Sequence, residues 1–260
     1  MTKTILFGGS GFFGPVILKK NPEIISVGRS KPPKDIVNNH INFESLDNLK
    51  FLDNIDFNKV IFLIGSSNHH VINNTVTMGL DFNVYPLKKI LTYLSKRKIK
   101  KFICFTTVLL YDEKKMTLPV SEVQEINPYI NDYIFSKYLS EEIVKYFSSK
   151  VPSIIVRLSN IYGYTKLIRP DLVPTIMQDI FTNEEVKIWN DKPKRDFLFT
   201  EDAADAVPAL KDALKDDDRY VRGYGIEALK YIGTPEAKSV LIDHLMTTRW
   251  CPSTTKNSTF

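Results

Sequence analysis

The spacing of apolar positions changes in a regular alternation along the chain. Residues 4–7, 23–27, 60–64, 102–106 and 153–158 form short β-rich apolar runs, while 14–20, 84–94 and 134–147 carry apolar residues at helical spacing. The strand-like runs are mostly apolar rather than alternating, as in strands buried on both faces of a parallel sheet. This pattern predicts an α/β fold over residues 1–205, a Rossmann-like doubly wound parallel sheet covered by helices.

Past residue 205 the pattern changes. Ala206/Ala237, Leu210/Leu241, Asp212/Asp243 and Leu214/Leu245 recur at a period of 31, and a helix-like stretch over 225–232 stops at Gly233 with Pro235 just beyond. Paired helices at that period resemble HEAT-like repeats of the phycobilisome-lyase type. Residues 206–260 are therefore expected to be a short all-α segment of one and a half repeats and a frayed tail, leaving little length for a further lobe. A repeat array buries its core between neighbouring units, so these helices would pack on the first part, dock a protein partner or remain loose.

Composition adds mainly exclusions. With 260 residues, 43% hydrophobic and 25% charged, the chain is ordinary globular protein, not disordered, collagen-like or a disulfide scaffold. No apolar run approaches the roughly 18 residues of a membrane helix, and no signal peptide is visible, so no membrane partner is expected. Cys104 and Cys251 are too few and too far apart to indicate a bridge, and a cytoplasmic location is expected. The net charge of +5 gathers in clusters such as Lys96–Arg97–Lys98 with Lys100 and Lys101, which reads as a solvated helix end, and no nucleic-acid partner is expected.

The first strand ends in Gly8-Gly9-Ser10-Gly11-Phe12-Phe13-Gly14, directly before a helical run. Glycines permit a tight turn and close backbone approach, and the helix N-terminus offers free N–H groups, the needs of a bound pyrophosphate. The second strand ends in Gly28-Arg29, with no carboxylate to accept from a ribose 2′-hydroxyl. Arg29 suits a 2′-phosphate, so NADP is favoured over NAD as cofactor, the alternative being an Arg29 that only faces solvent.

Tyr-x-x-x-Lys occurs five times, at Tyr85/Lys89, Tyr111/Lys115, Tyr133/Lys137, Tyr146/Lys150 and Tyr162/Lys166. Position separates them. Tyr133/Lys137 opens a helical run and follows the hydroxyl pair Thr106-Thr107, which closes an apolar strand. Residues four apart share a helix face, and a nearby ammonium makes a phenol a better acid or base near neutrality. His69 and His70 are read as rim residues on extended chain, unable to chelate one metal together, and no metal site is expected.

These residues, in this order, resemble the extended short-chain dehydrogenase/reductase family, also called the NAD-dependent epimerase/dehydratase family. The resemblance rests on the glycine loop, Val60-Ile61-Phe62-Leu63 before Gly65, Asn83-Val84, Thr107 before Tyr111, Tyr133-x-x-Ser136-Lys137-x-x-x-Glu141, Arg157-Leu158-Ser159-Asn160-Ile161-Tyr162-Gly163 and Arg195-Asp196-Phe197. It implies Tyr133 as general acid/base, Lys137 on the nicotinamide ribose, and Thr107 on the same substrate oxygen as Tyr133. Gly8, Gly11, Phe12, Phe13, Gly14, Arg29, Gly65 and Asn83 would hold the cofactor with Lys137. Asn160 and Arg195 would contact a nucleotide sugar or similar carbonyl substrate, the alternative for both being a local cap or ion pair. Family members often dimerise through helices like those at 84–94 and 134–147, so a homodimer is a further expectation.

One departure narrows the chemistry. Sugar dehydratases of this family place Asp-Glu after the threonine, and this chain has Val108-Leu109, so 4,6-dehydration is not expected. An NAD(P)-dependent reductase or epimerase remains, against a non-catalytic NAD(P)-binding scaffold that docks a partner through its HEAT-like helices.

Overall fold

The computed structural model of the chain describes residues 3–36, 39–117, 120–163, 172–182 and 196–205. The HEAT-like expectation for 206–260 and the substrate role of Arg195 lie outside the described residues.

Six strands form one parallel sheet: β1 (Lys3–Phe7), β2 (Ile25–Gly28), β3 (His40–Asn42), β4 (Phe57–Phe62), β5 (Lys101–Thr107) and β6 (Ser153–Leu158). Their order, β3-β2-β1-β4-β5-β6, reverses direction between β1 and β4. Both neighbours of β1 run parallel to it, with Ile5 level with Ile25 on one side and Val60 on the other. In such a sheet a crevice opens at the carboxyl ends of the strands beside the reversal. The doubly wound fold predicted from the apolar runs is therefore the fold observed.

Among the described residues the α-helices are α1 (Gly14–Lys20), α2 (His69–Asn73), α3 (Tyr85–Leu94), α4 (Asp132–Phe147) and α5 (Leu172–Thr182), and a second, two-stranded parallel pair consists of β7 (Asn160–Tyr162) and β8 (Phe197–Phe199). The core lies between the sheet and its helices. Phe7, Phe62 and Phe102 from the strands meet Leu87, Ile90, Leu91 and Leu94 from α3 and Val144 from α4. The α3 residues recur at helical spacing on one face, which is why that helix lies flat on the sheet.

Local chemistry sets several boundaries. Pro15 stands in the first turn of α1, where its missing N–H costs nothing. Pro86 does the same for α3, and just before it the chain widens into a π turn over Leu80–Val84, with Tyr85 N–H donating to Leu80 O. The strand expected at 23–27 starts at Ile25, because Ile24 N–H is spent on a turn to Asn21 O. The strand expected at 60–64 starts earlier, at Phe57, since pairing with β1 begins there.

Asp112–Glu125 belongs to a second compact unit, separate from the one containing the sheet. Within this segment Lys115 pairs with Glu125 at 2.5 Å, and Gln124 bonds the backbone and hydroxyl of Thr117.

Candidate active site

A cleft of about 680 Å³ opens at the carboxyl ends of β1, β4, β5 and β6. Gly8, Gly11, Phe12, Phe13 and Gly14 form one wall, Gly65 to His70 a second, and Thr106 to Leu109 with Tyr133, Lys137 and Asn160 a third. The structure thus gathers most residues singled out in the sequence around one cavity.

The glycine loop is shaped by backbone crowding. Gly8 has φ of +86°, and a Cβ there would lie 3.0 Å from Ile64 N. A Cβ on Gly14 would lie 2.6 Å from the backbone of Gly9, so helix and loop touch directly. Phe13 packs edge-on against Phe105 of β5, with ring centroids 5.6 Å apart, which anchors the loop to the sheet. Close backbone approach at the start of a helix fits the diphosphate of a dinucleotide. A nicotinamide dinucleotide fits this donor set, with Lys137 further along the same cleft.

Asn83 stands behind the cavity. It is buried at the π turn, its Oδ1 accepts from Ser66 N–H at 2.8 Å, and its Nδ2 donates to Ser136 Oγ at 2.9 Å. Ser136 Oγ in turn donates to Tyr133 O at 2.7 Å. One amide therefore ties the loop after β4 to the start of α4. Gly65 is needed beside it, because a Cβ there would lie 2.8 Å from Asn83 Oδ1.

Tyr133 and Lys137 lie one turn apart on α4, with Lys137 Nζ 5.8 Å from the Tyr133 ring centroid. Asn131 caps the helix by accepting from Ile134 N–H, and Asn73 Oδ1 accepts from Tyr133 N–H at 3.0 Å. Lys137 keeps partial exposure, but its ammonium sits deep beside Gly65, and burial pushes its pKa below the ordinary 10.5. Thr107 closes β5, and its Oγ accepts from Leu109 N–H at 3.2 Å. Behind this wall Cys104 is buried, its thiol pushed up to about 12 chiefly by that burial, which makes it inert packing rather than a nucleophile.

Three of the other Tyr-x-x-x-Lys pairs separate by environment, and Lys166 of the fourth lies outside the described residues. Tyr85 and Tyr146 are exposed on helix surfaces, and Tyr111 is buried beneath the Arg157 guanidinium, 4.7 Å from its ring. Arg29 is exposed at the end of β2 and does not line the cleft. The Asn42 amide, oriented by its hydrogen bonds, donates to Gly28 O at 2.9 Å and Arg29 O at 2.7 Å and so fixes the backbone that carries it. Asn160 lines the cleft while its Nδ2 donates to Asp196 O at 3.1 Å, so part of its amide is spent joining the two short strands.

The two histidines differ from their expected form. They open the short helix α2 rather than lying on extended chain, because Asn68 caps that helix by accepting from Val71 N–H. His69 stacks on the Tyr133 ring with centroids 3.9 Å apart and planes at 22°. Sequence reasoning missed Asn73 altogether; a lone asparagine sixty positions before its partner leaves no local signal. Among the described residues no helix is long and apolar enough to cross a membrane, and no cluster of three His, Cys, Asp or Glu could hold a metal.

Comparison with known proteins accords with this geometry. The chain is 25% identical over 240 residues to a dTDP-D-glucose 4,6-dehydratase of Dictyostelium discoideum, a match covering 80% of this chain and 55% of that protein. It therefore spans about half the length of that curated relative. A UDP-glucose 4-epimerase from Thermotoga maritima, solved with UDP-glucose, superposes with a TM-score of 0.71 at 21% identity over 81% of this chain and 73% of that one. The Bordetella bronchiseptica enzyme WbmH, solved with NAD+, gives 0.65 at 19% identity over 80% and 71%. At such identities these structures establish the fold. The model of the NAD dependent epimerase/dehydratase family matches residues 4–221, most of the chain and beyond residue 205, and the chain belongs to that family.

Proposed function

We propose that this chain is an NAD(P)-dependent epimerase or reductase acting on a nucleotide sugar or a related carbonyl, through Tyr133, Lys137 and Thr107. The single observation that carries this is spatial: the glycine loop and the Thr107–Tyr133–Lys137 group line one cleft. The nicotinamide supplies the hydride acceptor and donor when it is bound. Tyr133 takes the proton from a sugar hydroxyl as the carbon beneath it is oxidised, and returns it on reduction. Lys137 holds the ribose and favours the tyrosinate by its charge. Thr107 fixes the substrate oxygen beside the phenol. Solved neighbours bearing UDP-sugars, such as the Thermotoga maritima epimerase with UDP-glucose, support the substrate class.

Two finer readings belong with it. Arg29 selects NADP: it stands at the end of β2 on backbone held by Asn42, where a 2′-phosphate would meet a guanidinium. The reaction is not a 4,6-dehydration, since apolar Val108 and Leu109 line the cleft after Thr107 and supply no second acid and base. The curated dehydratase relative makes this a direct contrast.

The test combines binding and turnover. Fluorescence titration with NADPH and NADH is expected to show tight NADPH binding. Tyr133→Phe is expected to keep that binding and lose roughly 10²–10⁴-fold in turnover of a UDP-sugar. Equal turnover by Tyr133→Phe overturns the mechanism, and preferential NADH binding overturns the role of Arg29.

A further inference from the structure

Several polar or aromatic contacts converge on Tyr133, and those of His69 and Asn73 come from the five-residue helix α2. His69 and Asn73 are one helical turn apart and so face the same way. His69 lays its imidazole on the phenol ring, centroids 3.9 Å apart and planes at 22°. Asn73 Oδ1 accepts Tyr133 N–H, a second-position helix donor that has no partner within α4. From the other side Ser136 Oγ donates to Tyr133 O, and Lys137 Nζ lies 5.8 Å from the ring centroid.

The helix that carries the clamp is itself held. Asn68 caps its N-terminus, and Ile72, fully buried, packs in one apolar cluster with Leu110, Tyr133 and Ile134. Ile72 lies one turn from His69 on the same side of α2, so its burial against Tyr133 keeps the helix from rolling and holds His69 in register with the ring it covers. His69 also lines the cleft, so the same imidazole limits where the phenol can swing.

We propose that α2 is a positioning clamp for Tyr133, in which Asn73 sets its backbone and His69 sets the plane of its ring. This rests on the reading of Tyr133 as the acid/base. A phenol has two side-chain torsions, and the backbone bonds leave both free to vary. An offset-stacked neighbour restricts them, which keeps the hydroxyl aimed at one point in the cleft. His69 and Asn73 are positioning residues. Their effect on the reaction passes through Tyr133.

The first experiment needs no turnover. Protein carrying [3,5-13C]tyrosine gives one ring signal set per tyrosine, and Tyr133→Phe assigns that of Tyr133. His69→Ala is expected to move the Tyr133 signals by removing the imidazole ring current, with those of Tyr93 and Tyr111 unchanged. His69→Phe, which restores a stacked ring, is expected to return an upfield ring-current shift. Asn73→Ala, with His69 intact, is expected to broaden or split the same signals. Tyr133 signals that stay in place in a folded His69→Ala protein overturn the clamp, as does an equal shift of every tyrosine.

The second experiment is kinetic, with UDP-glucose and NADP+ or NAD+ as probes. His69→Ala is expected to lower kcat by roughly 10- to 100-fold with KM within about twofold, and His69→Phe to recover most of the loss. A change in KM alone, or no rescue by phenylalanine, overturns the positioning role. If wild-type protein fails to turn over any probe while the ring signals behave as stated, the functional reading fails and the clamp stands.

Discussion

Arg157 grips both carboxylate oxygens of Glu141, Nε to Oε1 at 2.8 Å and Nη2 to Oε2 at 2.6 Å. Thr106 adds a third hydrogen bond to Oε1 at 2.7 Å, and Tyr111 lies under the guanidinium. Glu141 is 1% exposed, so this bidentate pair joins α4 to β5 and β6 directly behind the Thr107 wall. Arg157→Met would leave the carboxylate buried without its partner. We expect a loss of about 3–5 kcal/mol in urea unfolding, most of it recovered in the Arg157→Met/Glu141→Leu double variant. Stability unchanged in the single variant would show that the pair contributes nothing net.

Asn83 and Gly65 form a second coupled pair. Asn83→Ala removes the acceptor of Ser66 N–H and the donor to Ser136, at an expected cost of about 1–3 kcal/mol. Gly65→Ala pushes a methyl group to 2.8 Å from the same Oδ1. The two costs should therefore not add: Gly65→Ala is expected to cost less in the Asn83→Ala background. A double-mutant cycle by chemical unfolding decides it, and strict additivity would refute the coupling.

The glycines of the first loop differ in what they tolerate. A Cβ on Gly14 meets Gly9 backbone at 2.6 Å, whereas one on Gly11 meets only Gly8 O at an ordinary 3.4 Å. Gly14→Ala is expected to lower stability by about 1–3 kcal/mol, since backbone must give way. Gly11→Ala is expected to leave the melting temperature nearly unchanged while weakening NADPH and NADH binding, because Gly11 lines the cleft. Thermal melts paired with fluorescence titrations separate the two effects.

The buried ammonium of Lys137 carries a cost in stability. Burial holds its folded pKa below 10.5. The unfolded chain thus binds this proton more tightly, and the folded state bears the full cost at every pH below its depressed folded value. Stability from this group rises as pH climbs from that value toward 10.5. Lys137→Met is expected to melt higher than wild type at pH 7, with the gap shrinking toward pH 10.5, while turnover is lost. A lower melting temperature at pH 7 would contradict the sign.

Much of the architecture was legible in the order of apolar runs. The strands at β1, β4 and β5 are apolar enough to be largely buried, β6 at the sheet edge is only half-buried along its length, and the glycine loop after β1 marks a βα turn whatever the rest does. Strand β3 went unseen because His40–Asn42 is only three residues long and half polar. The helical form of His69–Asn73 went unseen for a similar reason: a single turn capped by Asn68 has no periodicity to detect.

By itself the sequence determined the glycine turn and the i, i+4 pairing of Tyr133 with Lys137, because each depends on residues adjacent or one turn apart, and it indicated the doubly wound sheet through the order of its apolar runs. Position along the chain singled out Tyr133/Lys137 among the five Tyr-x-x-x-Lys pairs, and the sheet brings that pair and the glycine loop to one crevice at the ends of β1 and β5. Tertiary structure alone set Asn73 under the Tyr133 amide across sixty residues, Asn83 between the loop after β4 and α4, and His69 on the phenol ring. Those contacts join residues far apart in the chain, and buried polar groups find such partners only once the helices have packed on the sheet.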